Sequence, residues 1–148
     1  MKLISACLLG IRCSWDSTDK YKNDKAIRLL EDGILIPVCP EQLGGLKTPR
    51  PPQEIQGGTG EDVLAGKRRV KNRDGEDVTR QFARGAKETL RIAKQFKVSH
   101  FIGKSRSPSC GCGQIYDGTF SGRLIDGDGV TTALLKRNHI EVITEEDL

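Results

Sequence analysis

Lys2-Leu-Ile-Ser-Ala-Cys7-Leu-Leu-Gly10 is a short apolar run that breaks at a cysteine and a glycine. The same grammar returns twice. Ile34-Leu-Ile-Pro-Val38 runs into Cys39-Pro-Glu41, and Val98-Ser-His-Phe-Ile102 runs into a turn-rich loop, Lys104 to Gly113, that carries Cys110 and Cys112. Short apolar runs bounded by turn residues predict buried strands. Between them lie helical patterns. Asn23 or Asp24 caps a helix through Leu30, with Ala26, Ile27, Leu29 and Leu30 as its apolar face and Gly33 as a left-handed stop. Asp77 or Thr79 opens a longer helix whose Phe82, Ala86, Leu90 and Ala93 mark one face. Val130 to Asn138 is a final helix, entered from Gly127-Asp-Gly129, and Ile140 to Ile143 a last strand.

Strands alternating with helices predict an α/β fold: three layers around a mainly parallel, Rossmann-like sheet. In such sheets the carboxyl ends of the strands share one edge, where ligands bind. Cys7, Cys39 and Cys110 each fall just past a predicted strand end, so the topology brings three distant thiols to one point. The stretch Gly44 to Gly60 is rich in Gly and Pro and reads as a long loop at a functional rim. Lys67 to Asp77 reads as a loop or hairpin, and Ile115 to Phe120 as a turn or small hairpin.

A length of 148 residues suits one domain spanning 1–148, with one sizeable core. Hydrophobic residues at 36% and charged residues at 30% exclude wholesale disorder. No apolar run approaches the roughly 20 residues of a membrane span. The N-terminal run reads as a strand and not a signal peptide, which points to a cytoplasmic setting. A net charge of +4 permits an anionic partner, nucleotide or RNA, but aromatics at 5% supply no base-stacking platform.

Five cysteines, an odd count, disfavour a disulfide framework. Simple burial of a small hydrophobic thiol suits Cys7. It suits Cys39 and Cys110 less, because polar turns surround both. A structural zinc site normally shows CxxC pairs and four ligands, whereas the only close pair here is Cys110-x-Cys112, so zinc is the lesser occupant. Three dispersed thiolates suit a 4Fe–4S cluster with one iron left open, able to act as a Lewis acid.

Six motifs in order then carry a resemblance. They are Cys-Leu-Leu-Gly (7–10), Pro-Val-Cys-Pro-Glu (37–41), Gly-Gly-Leu-x-x-Pro-Arg-x-Pro-x-Glu (44–54), Ser-Pro-Ser-Cys-Gly (107–111), Ile-Tyr-Asp-Gly-x-Phe (115–120) and Gly-Asp-Gly-Val-Thr (127–131). The chain resembles a bacterial domain-of-unknown-function family that includes thiouracil desulfidase. That resemblance implies one desulfidase-like (TudS-type) domain whose matching Cys7, Cys39 and Cys110 hold a 4Fe–4S cluster with one iron free for a thiocarbonyl sulfur. Water supplies the replacing oxygen with no net redox change, and Glu41 and Ser107 are the acid–base candidates. Each also has a plainer reading. Glu41 can pair with Arg50, Ser107 can hold a turn, and Arg50 reads as a solvated salt bridge. Asp117 and Asp128 read as turn caps, and neither His100 nor His139 receives a role. Two departures from the family pattern, Cys112 and the Cys13-Ser-Trp-Asp continuation, bear on the pocket.

The expected function is therefore desulfuration of a thiolated nucleobase or nucleoside, with thiolated RNA a larger form of the same substrate. The alternatives are a non-catalytic iron–sulfur or zinc protein that carries or senses sulfur or metal, and a small RNA-associated module with incidental cysteines.

Overall fold

The computed structural model describes residues 1–148. In chain order the first half holds β1 (Lys2–Ser5), α1 (Asp24–Asp32), β2 (Leu35–Val38), α2 (Pro40–Leu43), β3 (Gln53–Ile55), α3 (Gly60–Leu64) and β4 (Val70–Asn72). The second half holds α4 (Thr79–Gln95), β5 (His100–Gly103), β6 (Gln114–Tyr116), β7 (Leu124–Asp126), α5 (Val130–Arg137) and β8 (Glu141–Thr144). One-turn 3-10 helices follow β1 and β8.

Four strands pair in parallel in the order β2-β1-β5-β8. Side chains alternate across a strand, and the core follows that period. Leu3 packs with Val38, Ala93, Phe101, Leu135 and Val142 on one face. Its neighbour Ile4 packs with Leu8, Ala26 and Ile102 on the other. Thus α1 covers one face while α4 and α5 cover the opposite one, giving the three expected layers. From β1 the chain moves outward to β2, then crosses to β5 on β1's other side. The switch in direction lies at β1, and crevices form there.

Helix starts follow local chemistry. Asn23 Oδ1 accepts from the Ala26 N–H at 3.0 Å, and Asp77 Oδ1 accepts from the Thr79 N–H at 2.9 Å. Two glycines let α2 lie directly against α4. A β-carbon on Gly85 would strike the Pro40 carbonyl, and one on Gly44 the Gln81 carbonyl.

Several readings need correction. Gly33 has φ 169°, an extended and not a left-handed stop, and Leu30 is exposed. The Gly44 to Gly60 stretch is not loop throughout. It contains β3, all three residues of which are buried, paired antiparallel with β4. A strand this short carries no readable period, and its partner lies in the next segment. Helix α3 follows directly, and Thr59 and Asp62 form a reciprocal cap at its start. The turn at 115–120 belongs to a hairpin, β6–β7. Both hairpins lean on α3, α4 and α5 through Ile55, Val63, Val70, Phe82, Ile115 and Val130. No helix is long and apolar enough to cross a membrane.

Candidate active site

The strand ends of β1, β2 and β5 open into a cavity of about 510 Å³, walled opposite by the β3–β4 and β6–β7 hairpins. Cys7 lies in the turn after β1, Cys39 in the residue between β2 and α2, and Cys110 in the loop after β5. All three line the cavity, as do Glu41 and Ser107. The convergence expected from the topology is present. Cys110 is more deeply packed than its polar loop suggested, at 4% exposure within the main core.

The other two cysteines differ. Cys13 is buried and lines the cavity, and its carbonyl accepts the Cys39 thiol at 3.6 Å. Cys112 stands against β8, its thiol donating to the Val142 carbonyl at 3.5 Å, and it is not part of the cavity wall.

The thiols disturb one another electrostatically. Burial pushes Cys7 well above the ordinary thiol range, and the neighbouring Cys110 and Cys39 push it further. Burial pushes Cys110 up to about 12 against hydrogen bonds from the Ser109 and Ser5 hydroxyls. Cys39 alone moves down, to about 7, because the Cys13 side chain hydrogen-bonds to it and outweighs burial. Cys7 and Cys110 resist ionisation, Cys39 does not, and a cationic centre shared by the three would favour the thiolate form of all of them. No three His, Cys, Asp or Glu side chains are grouped closely enough to hold one metal ion. A single zinc therefore fits poorly, whereas thiols spread round a cavity suit a larger polynuclear group.

Burial raises the Glu41 carboxyl above its ordinary value, and Arg50 draws it partly back. Arg50 corrects the solvated reading given above. Its side chain is 4% exposed. Nε donates to Glu41 Oε1 at 3.0 Å, one terminal nitrogen to Thr48 Oγ1 at 2.8 Å, and the other to the Cys13 carbonyl at 3.0 Å. The guanidinium thus fastens the catalytic candidate to the turn that carries Cys13. Pro49 and Pro51 on either side stiffen its backbone.

Ser107 Oγ accepts from the N–H groups of Ser109 and Cys110 at 3.1 and 3.0 Å. Those contacts shape the Cys110 turn and leave the hydroxyl hydrogen as a donor. At the mouth, Trp15 Nε1 donates to the Tyr21 hydroxyl at 3.3 Å, and Lys104 lies 5.1 Å from the centre of the Tyr21 ring. Trp15 lines the cavity, as the Cys13-Ser-Trp-Asp departure implies, whereas Tyr21 lies in a loop without periodicity and carries no signal in the sequence. Asp117 caps its turn as expected, accepting from the Thr119 N–H, whereas Asp128 accepts from the distant Gly113 N–H and pairs with Lys136. Neither histidine lines the cavity.

Comparison with known proteins agrees with this geometry. A family model described as 2-thiouracil desulfurase matches residues 3–147. The chain is 48% identical over 148 residues to an uncharacterized protein, YbbK, of Bacillus subtilis (strain 168), covering 100% of this chain and 97% of that one. Among solved structures, a [4Fe-4S]-dependent thiouracil desulfidase, TudS, superposes with a TM-score of 0.86 at 39% identity, covering 99% of this chain and 91% of the other. With residues 3–147 matched, nearly its whole length, the chain belongs to the 2-thiouracil desulfurase family.

Proposed function

We propose that the chain removes sulfur from a thiolated pyrimidine such as thiouracil, giving the oxo-base and sulfide without net oxidation or reduction. Cys7, Cys39 and Cys110 would hold a 4Fe–4S cluster. One observation carries the reading: three thiols from three strand ends share a cavity with a carboxylate placed two residues after one of them. Bound there by three thiolates, such a cluster supplies a soft Lewis acid that prefers thiocarbonyl sulfur to carbonyl oxygen.

The remaining work falls to side chains. Glu41, with its carboxyl raised by burial, takes a proton from the incoming water and returns one to the ring. Arg50 holds that carboxylate at 3.0 Å and limits its motion. The Ser107 O–H, its oxygen occupied by two backbone donors, orients water as a donor. A flat base fits between the Trp15 and Tyr21 wall and Phe120, all of which line the cavity. A free base or nucleoside enters whole, whereas thiolated RNA must turn one base into the cavity. Five unpaired thiols suit the reducing cytoplasm.

The test is purification without oxygen, with iron and sulfide counted before thiouracil is supplied. About four irons per chain and conversion to uracil are expected. Cys7→Ser, Cys39→Ser and Cys110→Ser each lose the cluster and the activity. Iron-loaded protein without turnover would instead favour a carrier or sensor.

A further inference from the structure

We propose that Glu54 recognises the substrate, accepting a hydrogen bond from a ring N–H of the thiolated pyrimidine; this rests on the desulfidase reading above. Glu54 is the middle residue of β3, 8% exposed, and lines the cavity. Its Oε1 accepts from the N–H groups of Gly118 and Phe120 at 3.0 and 3.1 Å. Those bonds hold Phe120, whose φ of 55° is unusual for a side chain of its size, as one wall of the cavity. Oε2 has no such partner, and no Lys or Arg pairs with this carboxylate. Glu41, the other acid of the cavity, has Arg50.

Thr131 Oγ1 is the one side-chain nitrogen or oxygen sealed from solvent without a partner. Oε2 of Glu54 therefore keeps some access, and the cavity provides it. A buried carboxylate is acceptor-only and costly to leave unpaired, so it selects a guest that brings a donor. The N3–H of a thiolated pyrimidine is that donor. It lies beside the thiocarbonyl whether sulfur is at C2 or C4, and it persists when a sugar occupies N1. A tie to Phe120 alone would need only Oε1.

Cluster-loaded protein is given 2-thiouracil, and also 4-thiouracil with its 1-methyl and 3-methyl derivatives, because the C4 thiocarbonyl has a single ring N–H beside it, at N3, whereas the C2 thiocarbonyl has one on each side. Failure of the wild type on 2-thiouracil would sink the desulfidase reading itself. Given that turnover, the 3-methyl compound should lose about 10- to 100-fold in kcat/KM relative to the 1-methyl compound, the range of a charge-assisted hydrogen bond. Calorimetry with uracil and 3-methyluracil should show the same preference without chemistry. Glu54→Gln keeps a carbonyl oxygen for Gly118 and Phe120 but loses the anionic acceptor. Its iron content and Tm should stay at wild-type values while kcat/KM for 2-thiouracil falls about 10- to 100-fold and turnover of the 3-methyl compound does not change. Equal treatment of both methyl isomers by the wild type would overturn the proposal, and that arm stands even where the variant fails to fold. A Glu54→Gln protein with lowered Tm and unchanged discrimination would make the residue a loop tie only.

Discussion

At the scale of single residues, Arg50 decides how Glu41 behaves. The pair is nearly closed off, at 4% and 13% side-chain exposure, so deleting one partner strands the other. Arg50→Met should cost about 3–5 kcal/mol in denaturant unfolding, the range for breaking a buried pair, and Arg50→Lys should recover part of it. The sign with pH follows from Glu41. A glutamate whose folded pKa is raised binds a proton more tightly folded than unfolded, so its stability contribution is greatest at low pH and is lost as pH rises through the folded value. Without the guanidinium that value climbs further. Arg50→Met should therefore regain stability on acidification from pH 7.5 towards 5, and Arg50→Met/Glu41→Gln should not. The gathering of Cys7, Cys39 and Cys110 round one cavity was legible in the sequence because each follows a strand end, while Glu41 was singled out through the family resemblance. The burial of Arg50 was not legible, since it depends on the Cys13 turn folding back from far along the chain.

At the scale of elements, the parallel sheet was legible because its strands are short apolar runs between turn residues. The hairpins were legible only in part: turn residues pointed to a hairpin near 67–77 and near 115–120, but β3, β4, β6 and β7 have three residues each, too few for alternation to show which strands pair. The contact of α2 with α4 is likewise invisible without the fold, although glycines at 44 and 85 permit it. Gly85→Ala should force α2 away, with a loss of about 1–3 kcal/mol in unfolding free energy and a fall in iron bound, because Cys39 and Glu41 travel with α2. Gly33→Ala is the control. Nothing lies within 4 Å of its added carbon and its φ suits any residue, so denaturant melts should move by less than about 0.5 kcal/mol.

At the scale of the molecule, the site belongs to no single element. It exists only where β2, β1 and β5 stand side by side, so a group bound there binds the folded state and not the unfolded chain. Cluster-loaded protein should melt above the same protein stripped of iron, by a margin that Cys39→Ser abolishes; scanning calorimetry under nitrogen reads this. Convergence itself was legible, since it follows from the shared edge of a parallel sheet. The cavity's far wall was not, because it is built by the hairpins. The placement of β1 between β2 and β5 has a temporal side as well. The opening strand leaves the ribosome with one flank to be filled soon and the other only about a hundred residues later. Cys7 and Cys110 remain strangers while the residues between them are made, and the three thiols stand together only once β5 and the loop after it have emerged.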